Sequence, residues 1–362
     1  MRKLASIQAI LRIDPIPDKD LIGLATVEGF QVIVQKSQFK PGDKCVYVEI
    51  DSVMPEKPEF EFLRKRDFRI RTLKMAGVIS AGICFPLDIL PPKKNGTEYE
   101  IGEDVTDVIG VKQYEATMDK EPEEVTKGKG KKFPKFLMKF KWFRRLVMGP
   151  KKKNGGFPAF VSKTDETRIQ NMPHIVEDKR EWIATEKVDG QSGTFALVRR
   201  KRPWPFKDEF EYIVCSRNLR LGKPDNSSYW SVSNRYQIEN ALRNMIGDRE
   251  WIAIQGECVA PNVQGNKYKV KTPDLYVFNL IYPTGRLGSM VAKSIIENHG
   301  MKFVPIVSQG YVLPDTVQEV LDYAHGQSAL GDTLREGIVF RSKDGTHSFK
   351  AVDPLFLLKY NE

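Results

Sequence analysis

The chain has 362 residues, enough for two domains, and its 41% hydrophobic and 29% charged residues exclude a disordered or fibrous protein. Its net charge of +10 is a local property: residues 127–153 hold twelve Lys/Arg and no Asp/Glu, so taking those twelve away leaves the rest at −2. An imbalance confined to one stretch points to contact with a polyanion rather than to a generally basic surface.

From the N-terminus to about residue 109 the signals are those of short strands. Residues 6–13 are apolar and β-prone, 21–27 meet 30–34 across Glu28-Gly29, and Lys40-Pro41-Gly42-Asp43 is a turn. After that turn Val46, Val48 and Ile50 alternate with Tyr47 and Glu49, and further short strands are expected at 68–73, 78–85 and 105–108. Many short strands and little helix predict a small β-barrel over residues 1–118. The oligonucleotide-binding (OB) type is the commonest such barrel that meets nucleic acid, while a barrel used for protein contacts stays open as the alternative. Leu4 to Ile13, broken by Gln8 and Arg12, resembles neither a signal peptide nor a membrane span.

Residues 119–156 read as a linker. The acidic stretch 119–125 gives way to a basic loop from Lys127 to Lys132, and Phe136, Leu137, Phe140, Phe143, Leu146 and Val147 then recur at near-helical spacing among Lys139, Lys141, Arg144 and Arg145. A phosphate-backbone clamp, a solvated linker helix and a membrane-surface helix all fit this pattern.

Residues 157–362 mix longer strands with helices. Strands are expected at 182–186, 194–198, 211–215, 251–257, 275–282 and 337–341, and helices at 236–245, 287–298 and 316–327, the last opening on Asp315 as an N-cap carboxylate. Cys45, Cys84, Cys215 and Cys258 lie far apart without C-x-x-C spacing and read as buried hydrophobes of a reducing, cytoplasmic compartment. The four histidines form no pattern with a Ser or Cys nucleophile. Neither a Walker-type phosphate loop nor a G-x-G-x-x-G is present.

The stretch with most chemistry is Thr185-Glu186-Lys187-Val188-Asp189-Gly190. On a strand, residues at i and i+2 share a face, so Lys187 and Asp189 are expected to address one pocket with Val188 in the core and Gly190 allowing a tight turn. A lysine so placed can act as a covalent nucleophile on phosphorus; the same four residues also occur in ordinary turns. Downstream, in fixed order, come Gly256-Glu257, Val277-Phe278, Glu336-Gly337-Ile338-Val339 and Phe349-Lys350. Asp189, Glu257 and Glu336 are candidate oxygen ligands for a hydrated Mg²⁺ or Mn²⁺, Phe278 a ring to stack on a purine, and Arg217, Lys350 and Lys359 cations for phosphate. Alternatively, Glu257 caps a strand or pairs with Arg217, Phe278 is plain core, and Arg168 makes a surface salt bridge.

With Ser216-Arg217-Asn218 added, this order resembles nucleotidyltransferase motifs I, Ia, III, IIIa, IV and V of the ATP-dependent polynucleotide ligases. The resemblance is closest to RNA ligases of the Deinococcus and Naegleria type, which carry an N-terminal OB domain. Residues 163–171, Lys-Thr-Asp-Glu-Thr-Arg-Ile-Gln-Asn, also resemble a signature of that family. The long basic stretch 127–153 has no obvious counterpart in it.

The resemblance implies an α+β chain: an OB-type β-barrel, a basic linker, and a mixed α+β nucleotidyltransferase domain of ATP-grasp-like ligase type. It implies Lys187 as the nucleophile that takes AMP from ATP. Arg168 and Lys350, with Lys359 as the other lysine of motif V, would meet phosphate, and Glu186, Arg217, Glu257, Phe278 and Glu336 would bind the nucleotide. The expected partner is RNA, as free ends or a nicked RNA/DNA duplex, with no membrane and a monomeric protein. A GTP-using capping enzyme, a DNA ligase and a non-catalytic OB protein are the competing expectations.

Overall fold

The computed structural model describes residues 3–93, 96–114, 156–222 and 227–360. The linker expected over 119–156, with its amphipathic helix, lies outside the described residues apart from Gly156. The chain forms two compact units, one from Met1–Ala116, Glu166–Val188 and Pro305–Glu362, the other from Thr117–Asp165 and Asp189–Val304. Among the described residues no helix is long and apolar enough to cross a membrane.

The first unit begins with a curled antiparallel sheet. Strand Ala5–Ile16 pairs through its first half with Lys44–Val48 and through its second half with Lys19–Val27, which continues into Phe30–Gln35. One strand can serve both neighbours because the register slips between Ile10 and Arg12, a bulge that bends the ribbon. The hairpin turns at Glu28 in the left-handed region (φ +50°) and Gly29. Inward residues Ile10, Ala25, Val27, Phe30, Val32, Cys45 and Tyr47 make one core, and the Ile33 amide donates to Ser80 Oγ at 3.0 Å, tying the meander to strand Val78–Ala81. This is an OB-type half-barrel.

Three expectations about this region need correction. Residues 78–85 form two strands, Val78–Ala81 and Ile83–Phe85, split at Gly82, where φ is +101° and a Cβ would lie 2.5 Å from the Tyr47 ring. Residues 68–73 likewise divide into Arg69–Ile70 and Thr72–Met75. Residues expected as a strand at 105–108 instead form helix Thr106–Ile109: Asp104 accepts the Thr106 amide at 2.9 Å and Gly110 closes the turn at φ +88°.

The second sheet of this unit is antiparallel in the order Ile306–Val312, Glu181–Lys187, Gly337–Ser342, Ser348–Val352. Alternation gives it two different faces. Trp182, Ala184, Ile338, Phe340, Phe349 and Ala351 face a core filled by Val320, Leu321 and Ala324 of helix Val317–Ala324. Ile183, Thr185, Lys187, Val339, Arg341 and Lys350 occupy the other face. The helix is capped by Thr316 in a box with Glu319, not by Asp315, which pairs with Lys179 at 2.8 Å. Helix Pro354–Tyr360 places Phe356 and Leu357 in one cluster with Leu4, Ile7, Val46 and Phe60 of the half-barrel, so the two sheets share a core.

The second unit is built on a sheet in the order Glu209–Cys215, Gln191–Arg200, Trp251–Val259, Asp274–Tyr282, Gly285–Arg286, with Lys302–Phe303 added parallel to Asp274–Tyr282. Helices Ser228–Arg235, Ile238–Met245 and Ser289–Asn298 accompany it. The four cysteines carry free thiols; Cys45, Cys215 and Cys258 are buried, and burial pushes the Cys215 thiol up to about 12.

Candidate active site

Lys187 is the last residue of its strand, opposite Gly337, so the lysine strand and the strand that follows Glu336 deliver their functional residues at the same end. Lys187 Nζ donates to Glu336 Oε2 at 2.5 Å, with the lysine about a quarter and the glutamate about an eighth exposed. Gly337 is required here: a Cβ would lie 2.2 Å from the Ala351 carbonyl oxygen, and a side chain would force the strands apart beside Glu336. Thr185, Val339 and Lys350 form a cross-strand row on the lysine's face, two residues back along the strand. Thr185 Oγ1 donates to Val339 O at 3.1 Å and accepts from buried Arg341, also at 3.1 Å.

Adjacency in sequence does not carry Glu186 to this face. Its carboxylate turns to the opposite side, where it accepts from Ser328 Oγ at 2.5 Å and the Ala329 amide at 2.9 Å, and burial raises its pKa despite those two donors. Nor does the strand continue to Asp189. Val188 is buried as expected, but the chain passes into the second unit at Asp189, so Lys187 and Asp189 are not neighbours on one strand face.

In the second unit Asp189 accepts from Lys267 Nζ at 2.5 Å, both side chains being under a tenth exposed, and its amide donates to Tyr268 Oη at 2.8 Å. Gly190 serves close approach rather than a left-handed turn: a Cβ would stand 2.6 Å from Cys258 O and 3.0 Å from Glu257 Cγ. Glu257 sits opposite both Ser192 and Tyr276, and accepts from Ser192 Oγ at 3.0 Å. Strand Asp274–Tyr282 slips register where Gln255 pairs with Asn279 but Gly256 with Val277, leaving Phe278 as the extra residue. That bulge keeps Phe278 half-buried, whereas Val277 and Leu280 are fully buried. Arg217 pairs with Asp165 at 3.6 Å and not with Glu257.

The signature 163–171 is a series of clasps. In the second unit Lys163 donates to Asn218 at 3.1 Å, beside the Asp165–Arg217 pair. In the first unit Ser348 donates to Glu166 at 2.5 Å, and the Lys350 amide donates to Thr167 O at 2.8 Å. Arg168 Nη2 donates to Asp51 at 2.8 Å, and Asn171 Nδ2 donates to Glu49 at 2.8 Å. Arg168 is therefore no surface bridge: its side chain is 7% exposed, and its buried Nε has no partner. Lys359, by contrast, is exposed on helix Pro354–Tyr360 and is not part of the sheet that holds Lys350.

Asp51, Lys267 and Tyr268 escape the sequence motifs. Asp51 carries a signal, since it extends the alternation that includes Glu49; Lys267 and Tyr268 belong to a loop with none. Among the described residues no three His, Cys, Asp or Glu side chains cluster as a metal cage. The oxygen donors of Asp189 and Glu257 suit a hard cation that keeps most of its own water, and in the structure Asp189 is paired with Lys267.

A family model described as RNA ligase matches residues 180–360, half of the chain, and one described as an OB-fold domain matches 4–87. The chain belongs to the RNA ligase family. Solved structures extend the likeness of this RNA ligase over its whole length. Naegleria gruberi RNA ligase with PPi is 29% identical, with a TM-score of 0.79, covering 100% of this chain and 99% of that one. An alanine mutant of the same Naegleria enzyme with AMP and Mn, and another with ATP and Mn, are each 28% identical at a TM-score of 0.78, covering 99% of both chains. Among curated proteins, none matches.

Proposed function

We propose that this RNA ligase seals RNA 3′-OH and 5′-phosphate ends through a lysyl-AMP formed on Lys187 with ATP. The observation that carries the reading is Lys187 at the end of its strand, 2.5 Å from Glu336 and on the sheet face that bears Lys350. In the first step the Lys187 nitrogen forms a bond to the α-phosphorus of ATP as the bond to the β-phosphate oxygen breaks and pyrophosphate leaves. An ammonium has no lone pair, so the nitrogen must first give up a proton; Glu336 is placed to hold that proton on its way to water.

Lys350 and Arg168 supply positive charge for the phosphates. Their backbones are bridged, and Asp51 fixes the Arg168 guanidinium. Phe278 offers a ring for the purine. Glu186 contributes through the strand it belongs to, since its carboxylate is committed elsewhere. A divalent metal supplies charge neutralisation at the α-phosphate when bound. Asp189 and Glu257, with Glu336, are the carboxylates that would hold its water shell. The AMP then passes to an RNA 5′-phosphate, and a 3′-OH displaces it to form the phosphodiester. The free thiols support a reducing, intracellular setting as part of this reading, which also takes the enzyme as a monomer.

The test is incubation with α-³²P-ATP, and separately α-³²P-GTP, with Mg²⁺ or Mn²⁺, followed by a denaturing gel. Acid-labile label from ATP that disappears in Lys187→Ala is the expected result. Label from GTP alone would replace the reading with capping chemistry, and no label from either would end it.

A further inference from the structure

In the second unit, strands Gln191–Arg200 and Glu209–Cys215 are joined by a loop whose residues 201–207 are all exposed: Lys-Arg-Pro-Trp-Pro-Phe-Lys. Trp204 is 93% exposed, more than any other large hydrophobic side chain among the described residues, and Phe206 is 63% exposed. Single exposed apolar residues are ordinary, but two rings within three residues, left in water on a turn, are not.

The loop is also charge-sorted. The acidic residues lie at its base, and each is engaged by an arginine there: Arg199 with Asp208 at 3.7 Å, Arg202 with Glu209 at 2.5 Å, and Arg200 with Glu211. Beyond these pairs the loop carries Lys201 and Lys207 and no acid. Its shape is fixed, because the Phe206 amide donates to Pro203 O at 3.0 Å and the Arg202 amide to Asp208 at 3.3 Å, while Pro203 and Pro205 restrict the backbone on either side of Trp204. The rings are held outward by a braced turn.

We propose that this loop is a platform for a single-stranded segment of the RNA substrate, with Trp204 and Phe206 stacking on bases and Lys201 and Lys207 meeting backbone phosphates. Base stacking needs one flat ring per base and no shaped pocket, which is what the tip provides. A protein partner would need roughly 800 Å² of complementary surface on this side, far more than two rings on a turn supply. Duplex RNA hides its base faces in its own stack, so the strand that binds here is unpaired. The inference takes RNA as substrate from the ligase reading, but it does not depend on Lys187 being the nucleophile.

The experiment uses the full chain with Trp204→Ala, Trp204→Tyr, Phe206→Ala and the double change Lys201→Gln/Lys207→Gln. Binding of a fluorescein-labelled, 5′-phosphorylated single-stranded RNA is followed by anisotropy across a salt series, and ATP labelling of the protein is measured without RNA. Each alanine change should weaken RNA binding by about 5- to 150-fold, the stacking of one base, while Tyr restores most of it. The lysine pair should flatten the slope of log affinity against log salt by about 0.7 per lost contact. ATP labelling should be unchanged. Unaltered RNA affinity in Trp204→Ala, or an unaltered salt slope in the lysine pair, would overturn the proposal. A loss confined to self-association, or to binding of phosphatidylserine vesicles, would reassign the loop to a protein or lipid surface. Failure of ATP labelling in the unaltered protein would instead count against the lysyl-AMP reading, with the RNA measurement still deciding the loop.

Discussion

Asp51→Asn asks whether the half-barrel sets the chemistry of the ligase half. Asp51 lies at φ +64°, a conformation Asn adopts as readily as Asp, so the change removes charge and leaves backbone shape alone. Arg168 then keeps a neutral acceptor in place of the carboxylate 2.8 Å away, and Arg69 loses the same charge at 3.7 Å. Removing one partner of a fully buried pair costs about 3–5 kcal/mol. Asp51 is 26% exposed, so solvent screening lowers the expectation to roughly 2–3 kcal/mol of stability.

The functional effect should be larger than the structural one, because a phosphate-binding group displaced by about 1 Å can cost ~100-fold in rate. The assay is single-turnover labelling of Lys187 across ATP concentrations, with pyrophosphate-driven reversal measured alongside and urea unfolding run in parallel. Adding Arg168→Ala to Asp51→Asn should cost far less than the two single effects combined. A variant that is destabilised by the expected amount, yet keeps both its ATP dependence and its reversal rate, would refute the idea that Asp51 orients Arg168.

Three further outcomes are expected. Lys267→Ala removes the ammonium that Asp189 now holds, so the metal-free protein should be less stable and Mn²⁺ should restore stability, with half-maximal labelling at a lower Mn²⁺ concentration; melting curves against Mn²⁺ check this. Gly190→Ala drives a Cβ to 2.6 Å from Cys258 O and should cost about 1–3 kcal/mol on unfolding, together with most of the Lys187 labelling. Glu28 has its pKa raised above 4.5 by burial and then by Glu49, so the fold takes up its proton at a higher pH than the unfolded chain does. That contribution is present on the acid side and lost as pH rises through the raised value. Glu28→Gln should therefore gain stability over the parent as pH rises above 4.5, and a difference independent of pH would refute the assignment.

The strands at 46–48 and 182–186 are legible in the sequence alone, although both of their faces are buried, Tyr47 and Ile183 as well as Val46 and Trp182, and the hairpin across Glu28-Gly29 forms where expected. Four-residue windows are not. Residues 105–108 are β-prone, and only the Asp104 bond and Gly110 turn them into helix. Helix Ser228–Arg235 leaves no local signal because Ser, Tyr, Trp, Val and Asn are indifferent helix formers; its Ser227 cap and buried Tyr229, Trp230 and Val232 stabilise it through tertiary packing. Order along the chain picks out Lys187 and Glu336, which pair, and Glu257, but not the partners of Asp189 or Arg168. Which amine meets Asp189, or which carboxylate meets Arg168, depends on folds of chain far apart in sequence, and no spacing rule reaches across 78 or 117 residues.

The shared core of the half-barrel and helix Pro354–Tyr360 bears on how the chain is made. Leu4 and Ile7 leave the ribosome well before Phe356 and Leu357, which complete their surroundings and come some 350 residues later. Such distant contacts are slow to form, and at ~5–20 residues per second the half-barrel waits tens of seconds with an apolar flank uncovered. A chain cut after the barrel would keep that flank exposed, and one begun at the ligase half would present Phe356 and Leu357 to water. The half-barrel and the lysine sheet thus depend on each other to complete one core, although they come from separate stretches of the sequence.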